Sequence, residues 1–200
     1  MDTKQQWEEC WKASMVVLYQ KGKIGKIVLN RPESHNAFNP QLIQELKQAF
    51  QQFEENPHIR VVLLTGAGKS FCSGADLNWM KQMNQYSMEE NLQDAMKMAQ
   101  LFHQIQIFPK PLIAQVNGVA MGGGLGLIAV CDGVVAQEKA TFAFSEVRLG
   151  LIPAVISPYL LKKIGFSHSR QLMMSGENFS TTTAKEIGLI HEICLQHEYR

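Results

Sequence analysis

The sequence predicts an α/β domain with parallel strand pairing, and three observations carry that expectation. Short apolar, β-branched runs alternate with longer stretches of helical period along most of the 200 residues. The helical stretches open on capping residues and close near proline or glycine. Two strand-to-helix junctions, "CSGAD" (72–76) and "AMGGGLG" (120–126), are built from small residues that present backbone at the end of a strand.

Taken in order, "MVVLYQKGKIGKIVLN" (15–30) reads as two strands joined by a hairpin at Lys21-Gly22-Lys23. Asn39-Pro40 supplies an N-cap and a first-turn proline, and Leu42, Leu46, Ala49 and Phe53 then place a helix over 40–55. "VVLLTG" (61–66) is an unbroken apolar run of the kind a buried strand requires. Ser87-Met88-Glu89-Glu90 is a capping box. Behind it Leu92, Ala95/Met96, Ala99, Phe102 and Ile105 share one helical face that should be core, with the methionines as filler, and Pro109 closes the helix. "PLIAQVNG" (111–118) predicts a buried strand, the glycines open a helix near 123–131, and 133–137 and 141–144 are short strands. The segment 154–190 reads as mostly helical, with Ser180 an N-cap and Gly188 a stop. Residues 1–14 read as an N-terminal extension before a core domain spanning 15–200.

Bulk properties exclude several function classes. The net charge is +1 with 46% apolar residues, so no global field points to nucleic acid or a membrane surface. The start is polar and acidic, unlike a signal or transit peptide, and no apolar run reaches about 18 residues. A cytoplasmic protein with no membrane or nucleic-acid partner is expected. Cys10, Cys72, Cys131 and Cys194 lie far apart without metal spacing, which predicts reduced, buried thiols and no metal site.

Two glycine-containing turns compete as ligand cradles. "TGAGKS" (65–70) follows a strand, but position 63 is Leu63 where a P-loop needs glycine, so Lys69 is read as a turn residue. The run Gly122-Gly123-Gly124-Leu125-Gly126 lacks the context of a dinucleotide fingerprint. Free N–H groups at a helix start favour negative charge, whereas tight helix–strand packing selects glycine for a different reason, and both readings stand. The turn Gly74-Ala75-Asp76 offers a second set of N–H groups. Two such turns facing one point would make an oxyanion hole suited to a thioester enolate.

The stretches "LNRPESHNAFN" (29–39), "FCSGADL" (71–77), "VNGVAMGGGLGL" (116–127), "CDGVVAQEKATFAFSEVRLGLIP" (131–153) and "AKEIGLIHEI" (184–193) resemble the enoyl-CoA hydratase/isomerase (crotonase) superfamily in order and spacing. The resemblance covers the chain from about residue 15. It implies the ClpP/crotonase-like fold of repeated ββα units, a homotrimer or dimer of trimers, and C-terminal helices beyond this sequence. It implies an acyl-CoA thioester as substrate, coenzyme A arriving with it and no separate cofactor. Ala75 and Gly123 match the two oxyanion-hole donors. Ser34, His35, Ala37, Ala75, Asp76 and Leu77 match the CoA-binding region. Glu146 matches one of two glutamates common in the hydratases, and Gly126 stands where the other would be. "SGADLNWM" with "SEVRLGLIPAVISPYLL" resembles bacterial hydratases of branched, carboxylated enoyl-CoAs such as 3-methylglutaconyl-CoA.

The expected chemistry is hydration of an α,β-unsaturated enoyl thioester. Charge develops on the thioester oxygen, two N–H groups stabilise it, and Glu146 holds water and moves the proton. A Glu146–Arg148 surface pair is the structural alternative for these residues. Arg148 pairing with a distal substrate carboxylate is a further reading, and Gly126 predicts open space opposite Glu146. Asp76 is expected to cap a helix and Asp132 to end one. Tyr159 and Trp79 divide between pocket and core. A double-bond isomerase, needing one glutamate, and a non-catalytic acyl-CoA-binding protein remain alternatives, separated by the product formed and by turnover.

Overall fold

The computed structural model of the protein describes residues 6–195. The chain forms β1 (Glu8–Lys12), β2 (Val16–Lys21), β3 (Ile24–Leu29), α1 (Pro40–Glu55), β4 (Val61–Gly66), β5 (Ser70–Cys72), α2 (Leu77–Met83) and α3 (Met88–Gln106). It continues through β6 (Leu112–Val116), β7 (Val119–Met121), α4 (Gly123–Ala129), β8 (Gly133–Gln137), β9 (Thr141–Ala143), α5 (Ser157–Ser175), β10 (Phe179–Ser180), α6 (Thr181–Glu186) and β11 (Glu192–Cys194). A seven-stranded sheet has the order β1-β2-β3-β4-β6-β8-β11, and a four-stranded sheet the order β10-β9-β7-β5.

This is the crotonase fold, and its repeat is visible in the strand order. Each unit sends one strand to the large sheet, the next to the small sheet, and then turns into a helix: β4, β5, α2; β6, β7, α4; β8, β9, α5. The large sheet is parallel from β3 to β11. In the small sheet β5, β7 and β9 are parallel neighbours, so their C-terminal ends lie side by side.

The hairpin, α1, β4, β6, β8 and β9 lie where periodicity and capping predicted them. Asn39 caps α1 through Leu42 N–H, and both halves of the Ser87–Glu90 capping box form. Ser180 caps α6 by accepting from Thr183 N–H, and the chain leaves that helix through Gly188 at φ 78°.

Four expectations are corrected. Residues 8–12 of the proposed extension form β1, which pairs antiparallel with β2. The stretch 111–118 is not one strand. The chain changes sheets at Asn117-Gly118, where Asn117 donates to the Gly68 carbonyl and a Cβ on Gly118 would lie 2.0 Å from the Lys69 carbonyl oxygen. The predicted core face of α3 is buried only in its C-terminal half, at Leu101, Phe102 and Ile105; Leu92 and Met96 are exposed. Finally, Cys10 is exposed, while Cys72 and Cys131 are buried with thiols that burial pushes up to about 12.

The core lies between the sheets and the helices. It joins Leu42, Leu46, Phe50 and Phe53 of α1 to Ile27, Leu29, Val62 and Leu64 of the large sheet, and to Leu125, Leu127 and Ile128 of α4. Among the described residues no helix is long and apolar enough to cross a membrane, and no cluster of three His, Cys, Asp or Glu side chains is placed to hold a metal ion.

Candidate active site

The parallel strands β5, β7 and β9 each end in a turn, and the three turns meet at one cavity of about 650 Å³. Ala75 follows β5, Gly123 follows β7 and Glu146 follows β9, and all three line that cavity. So do Ser34, His35, Ala37, Asp76 and Leu77, and an apolar wall runs from Leu149 to Ile156. The expected donors, the glutamate and the residues matched to the CoA region are therefore brought together, whereas Trp79 and Tyr159 are not among the lining residues.

The first two turns touch through glycine. A Cβ on Gly122 would lie 3.6 Å from Gly74 Cα and 3.1 Å from Glu146 Oε1. Gly122 has φ 49°, ψ −117°, a conformation that essentially only glycine adopts. Gly123 and Gly124 are small because they abut Phe38 and the Cys72 carbonyl. Tight packing thus accounts for Gly123 and Gly124, and backbone conformation for Gly122.

The direction of the two N–H groups follows from peptide planarity. In a trans peptide the carbonyl and the next N–H point opposite ways. The Gly74 carbonyl accepts from Phe38 N–H at 2.7 Å, which turns Ala75 N–H the other way. The Gly122 carbonyl accepts from Leu125 N–H at 2.8 Å as α4 begins, which leaves Gly123 N–H pointing out of the helix start. Neither N–H donates to an acceptor among the described residues.

Glu146 is the second residue of a short 3-10 turn, Ser145–Leu149, that Gly150 ends. Its Oε2 is buried and has no hydrogen-bond partner among the described residues. Burial holds its carboxyl above the usual glutamate range, opposed only by a bond from its own N–H. A buried carboxylate oxygen without a donor is costly for stability. The Glu146–Arg148 pair is absent: Arg148 donates instead to Asn178 Oδ1 at 3.1 Å, while its side chain borders the cavity.

The expectation of open space at Gly126 is overturned. A Cβ there would lie 2.4 Å from Ile156 Cγ2 and 2.8 Å from the Phe102 ring. The position is filled by packing. Asp76 caps α2, accepting from Asn78 N–H at 2.7 Å and Trp79 N–H at 3.4 Å. Desolvation raises its carboxyl, but the Arg31 hydrogen bond and those two N–H groups outweigh it and hold the group below the usual range. Asp132 accepts from Leu112 N–H and has a structural place. Trp79 is core, its indole N–H on Asp94 Oδ2 at 3.3 Å, and Tyr159 packs on Phe102. Sequence reading missed Arg31, whose partner lies 45 residues away. Its charge beside a proline in "NRPES" was the only signal.

The fold and these turns define a crotonase-type α/β protein whose three strand-end turns meet at one cavity. The model of the enoyl-CoA hydratase/isomerase family matches residues 19–199, and the chain belongs to that family. A solved enoyl-CoA hydratase from Shewanella pealeana is 42% identical and superposes with a TM-score of 0.88, covering 90% of this chain and 68% of that one. A mitochondrial enoyl-CoA hydratase of Pongo abelii is 37% identical over 183 residues, covering 90% of this chain and 61% of its own length. A short-chain-enoyl-CoA hydratase of Clostridium acetobutylicum is 33% identical over 180 residues, covering 89% and 68%. The chain spans between 59% and 70% of the length of the curated relatives it matches.

Proposed function

We propose that this protein binds an acyl-CoA thioester and adds water across its α,β double bond. The observation that carries the reading is the meeting of Glu146, with its unpartnered buried oxygen, and the two unengaged N–H groups at one cavity. The thioester oxygen lies between Ala75 N–H and Gly123 N–H, where developing enolate charge is stabilised by a few kcal/mol. Glu146 holds the attacking water and delivers the proton to the α carbon. Its raised pKa suits a group that must both take and return a proton near neutral pH. Ser34, His35, Ala37, Asp76 and Leu77 form the wall against which the CoA moiety lies, and the apolar segment 149–156 receives the acyl chain.

Two finer readings belong to the same proposal. The acyl group is branched and carboxylated, as in 3-methylglutaconyl-CoA, with Arg148 at the cavity edge as its counter-charge. The working assembly we infer is a trimer or a dimer of trimers, and sedimentation of the protein is the test: a monomer would overturn it. One observation favours a second reading: packing at Gly126 leaves little room for a glutamate at that position, and one glutamate suffices for moving a double bond. The experiment follows enoyl-thioester absorbance on crotonyl-CoA and 3-methylglutaconyl-CoA, with the native protein and Glu146→Gln. Absorbance loss that the substitution abolishes supports hydration. A shifted double bond in the product supports the isomerase. Binding without turnover identifies an acyl-CoA-binding protein.

A further inference from the structure

Two consecutive non-glycine residues, His35 and Asn36, sit in the left-handed region at φ 51° and 56°. Side chains adopt that conformation in succession only where the surroundings impose it. Asn36 is fully buried. Its Oδ1 accepts from Arg31 N–H at 2.8 Å, and its Nδ2 donates to the carbonyls of Ala67 at 2.9 Å and Ser70 at 2.8 Å. The knuckle so formed lays 35–38 along 73–76. Ser73 N–H donates to the His35 carbonyl, Phe38 N–H to the Gly74 carbonyl, and Asp76 N–H to the Phe38 carbonyl. One charged group closes the clasp. Arg31 Nη2 lies 2.6 Å from Asp76 Oδ2, and Arg31 Nη1 donates to the Ala37 carbonyl at 3.0 Å. The two side chains are 15% and 10% exposed, so solvent weakens the pair little.

We propose that Arg31 is a positioning residue for the oxyanion cradle. It does not line the cavity. Its fork grips both sides of the junction, and the junction contains the bond from Phe38 N–H to the Gly74 carbonyl. That bond sets the plane of the Gly74–Ala75 peptide and hence the direction of Ala75 N–H. A lysine reaches one of the two acceptors but not both. The inference rests on the thioester reading above.

The test binds butyryl-CoA, which is saturated and does not turn over, labelled with ¹³C at the thioester carbonyl. Difference infrared spectra read polarisation of that carbonyl by the cradle in native protein and in Arg31→Gln. The expected result is a downshifted carbonyl band with the native protein and a smaller downshift with Arg31→Gln. Dissociation constants should agree within about 3-fold, and kcat on crotonyl-CoA should drop about 10- to 100-fold, short of losing a donor outright. A full downshift in Arg31→Gln, whatever its thermal stability, overturns the positioning role and leaves the thioester reading standing. No downshift in the native protein overturns the thioester reading and the clasp with it. Should Arg31→Gln not fold, Arg31→Lys carries the same comparison, because it keeps the charge and one contact.

Discussion

Glu146→Gln is expected to stabilise the protein while abolishing its activity, and only above a definable pH. The carboxyl is held above the usual glutamate range by burial, so the folded state binds a proton more tightly than the unfolded chain. Stability contributed by that proton is complete below the unfolded value near 4.3 and is lost as pH rises through the folded value. Glutamine does not titrate. The variant therefore matches the native protein at pH 4, gains on it through the window above, and keeps a constant lead at pH 8. The unpartnered Oε2 sets the magnitude. Leaving a buried polar group unsatisfied costs about 1–3 kcal/mol, more when charged, and an unpaired amide retains part of that cost. A net gain of about 1 kcal/mol remains, or about 2–4 °C in Tm for a chain of this size. Thermal melts at pH 4 and pH 8, paired with turnover of an enoyl thioester, make the assay. Turnover should fall by at least about 10²-fold. A lower Tm at pH 8, or an equal gain at both pH values, would refute the argument that the carboxylate is held against its own preference.

Other substitutions probe the surrounding geometry. Gly122→Ala forces a side chain into φ 49° and against Glu146 and Gly74; melts should show a loss of about 1–3 kcal/mol, with turnover down about 10²-fold. Gly126→Glu should not supply a second carboxylate, because Ile156 and Phe102 occupy its space; denaturant titration should show a loss of more than the roughly 1–3 kcal/mol typical of overpacking alone. Asn36→Ala strands Arg31 N–H and the Ala67 carbonyl and leaves the Ser70 carbonyl to a 3.3 Å bond from Asn117 Nδ2, and chemical denaturation should report a loss of about 2 kcal/mol or more. Asp76, held below the usual carboxylate range, contributes stability that is present above about pH 3.9 and lost as pH falls through its folded value. Acid titration of Asp76→Asn should lack that portion of the native protein's decline.

The strands of the large sheet from β2 to β8, and α1, were legible because their signals are local and long enough to count. A six-residue run such as Val61–Gly66 and the Asn39-Pro40 cap each declare themselves within one window. The small sheet was largely illegible for the same reason inverted. β5 and β7 have three residues each and β10 two, below the length at which alternation can be read. α3 misled because its apolar face continues in sequence past the point where the core ends, leaving Leu92 and Met96 exposed. The candidate residues themselves came from small-residue junctions and from resemblance, and those pointed to Ala75, Gly123 and Glu146. What neither could give was the emptiness or fullness of space. Gly126 looked like room and proved to be packing, because Ile156 lies thirty residues further on.

The cradle shows why side-chain logic alone understates this site. Both donors proposed for it are main-chain groups, and neither is aimed by its own residue. Ala75 N–H is aimed by what the Gly74 carbonyl accepts, and Gly123 N–H by what the Gly122 carbonyl accepts. The first of those bonds belongs to a loop that Arg31 and Asn36 hold in place, and the second is the opening bond of α4. Substituting Ala75 by another small residue should therefore leave the donor nearly intact, since the N–H remains. Informative changes lie where the carbonyls are engaged, at Arg31, Asn36 and Gly122. Parallel pairing of β5, β7 and β9 then makes the three turns coincide, because strands running the same way end on the same side.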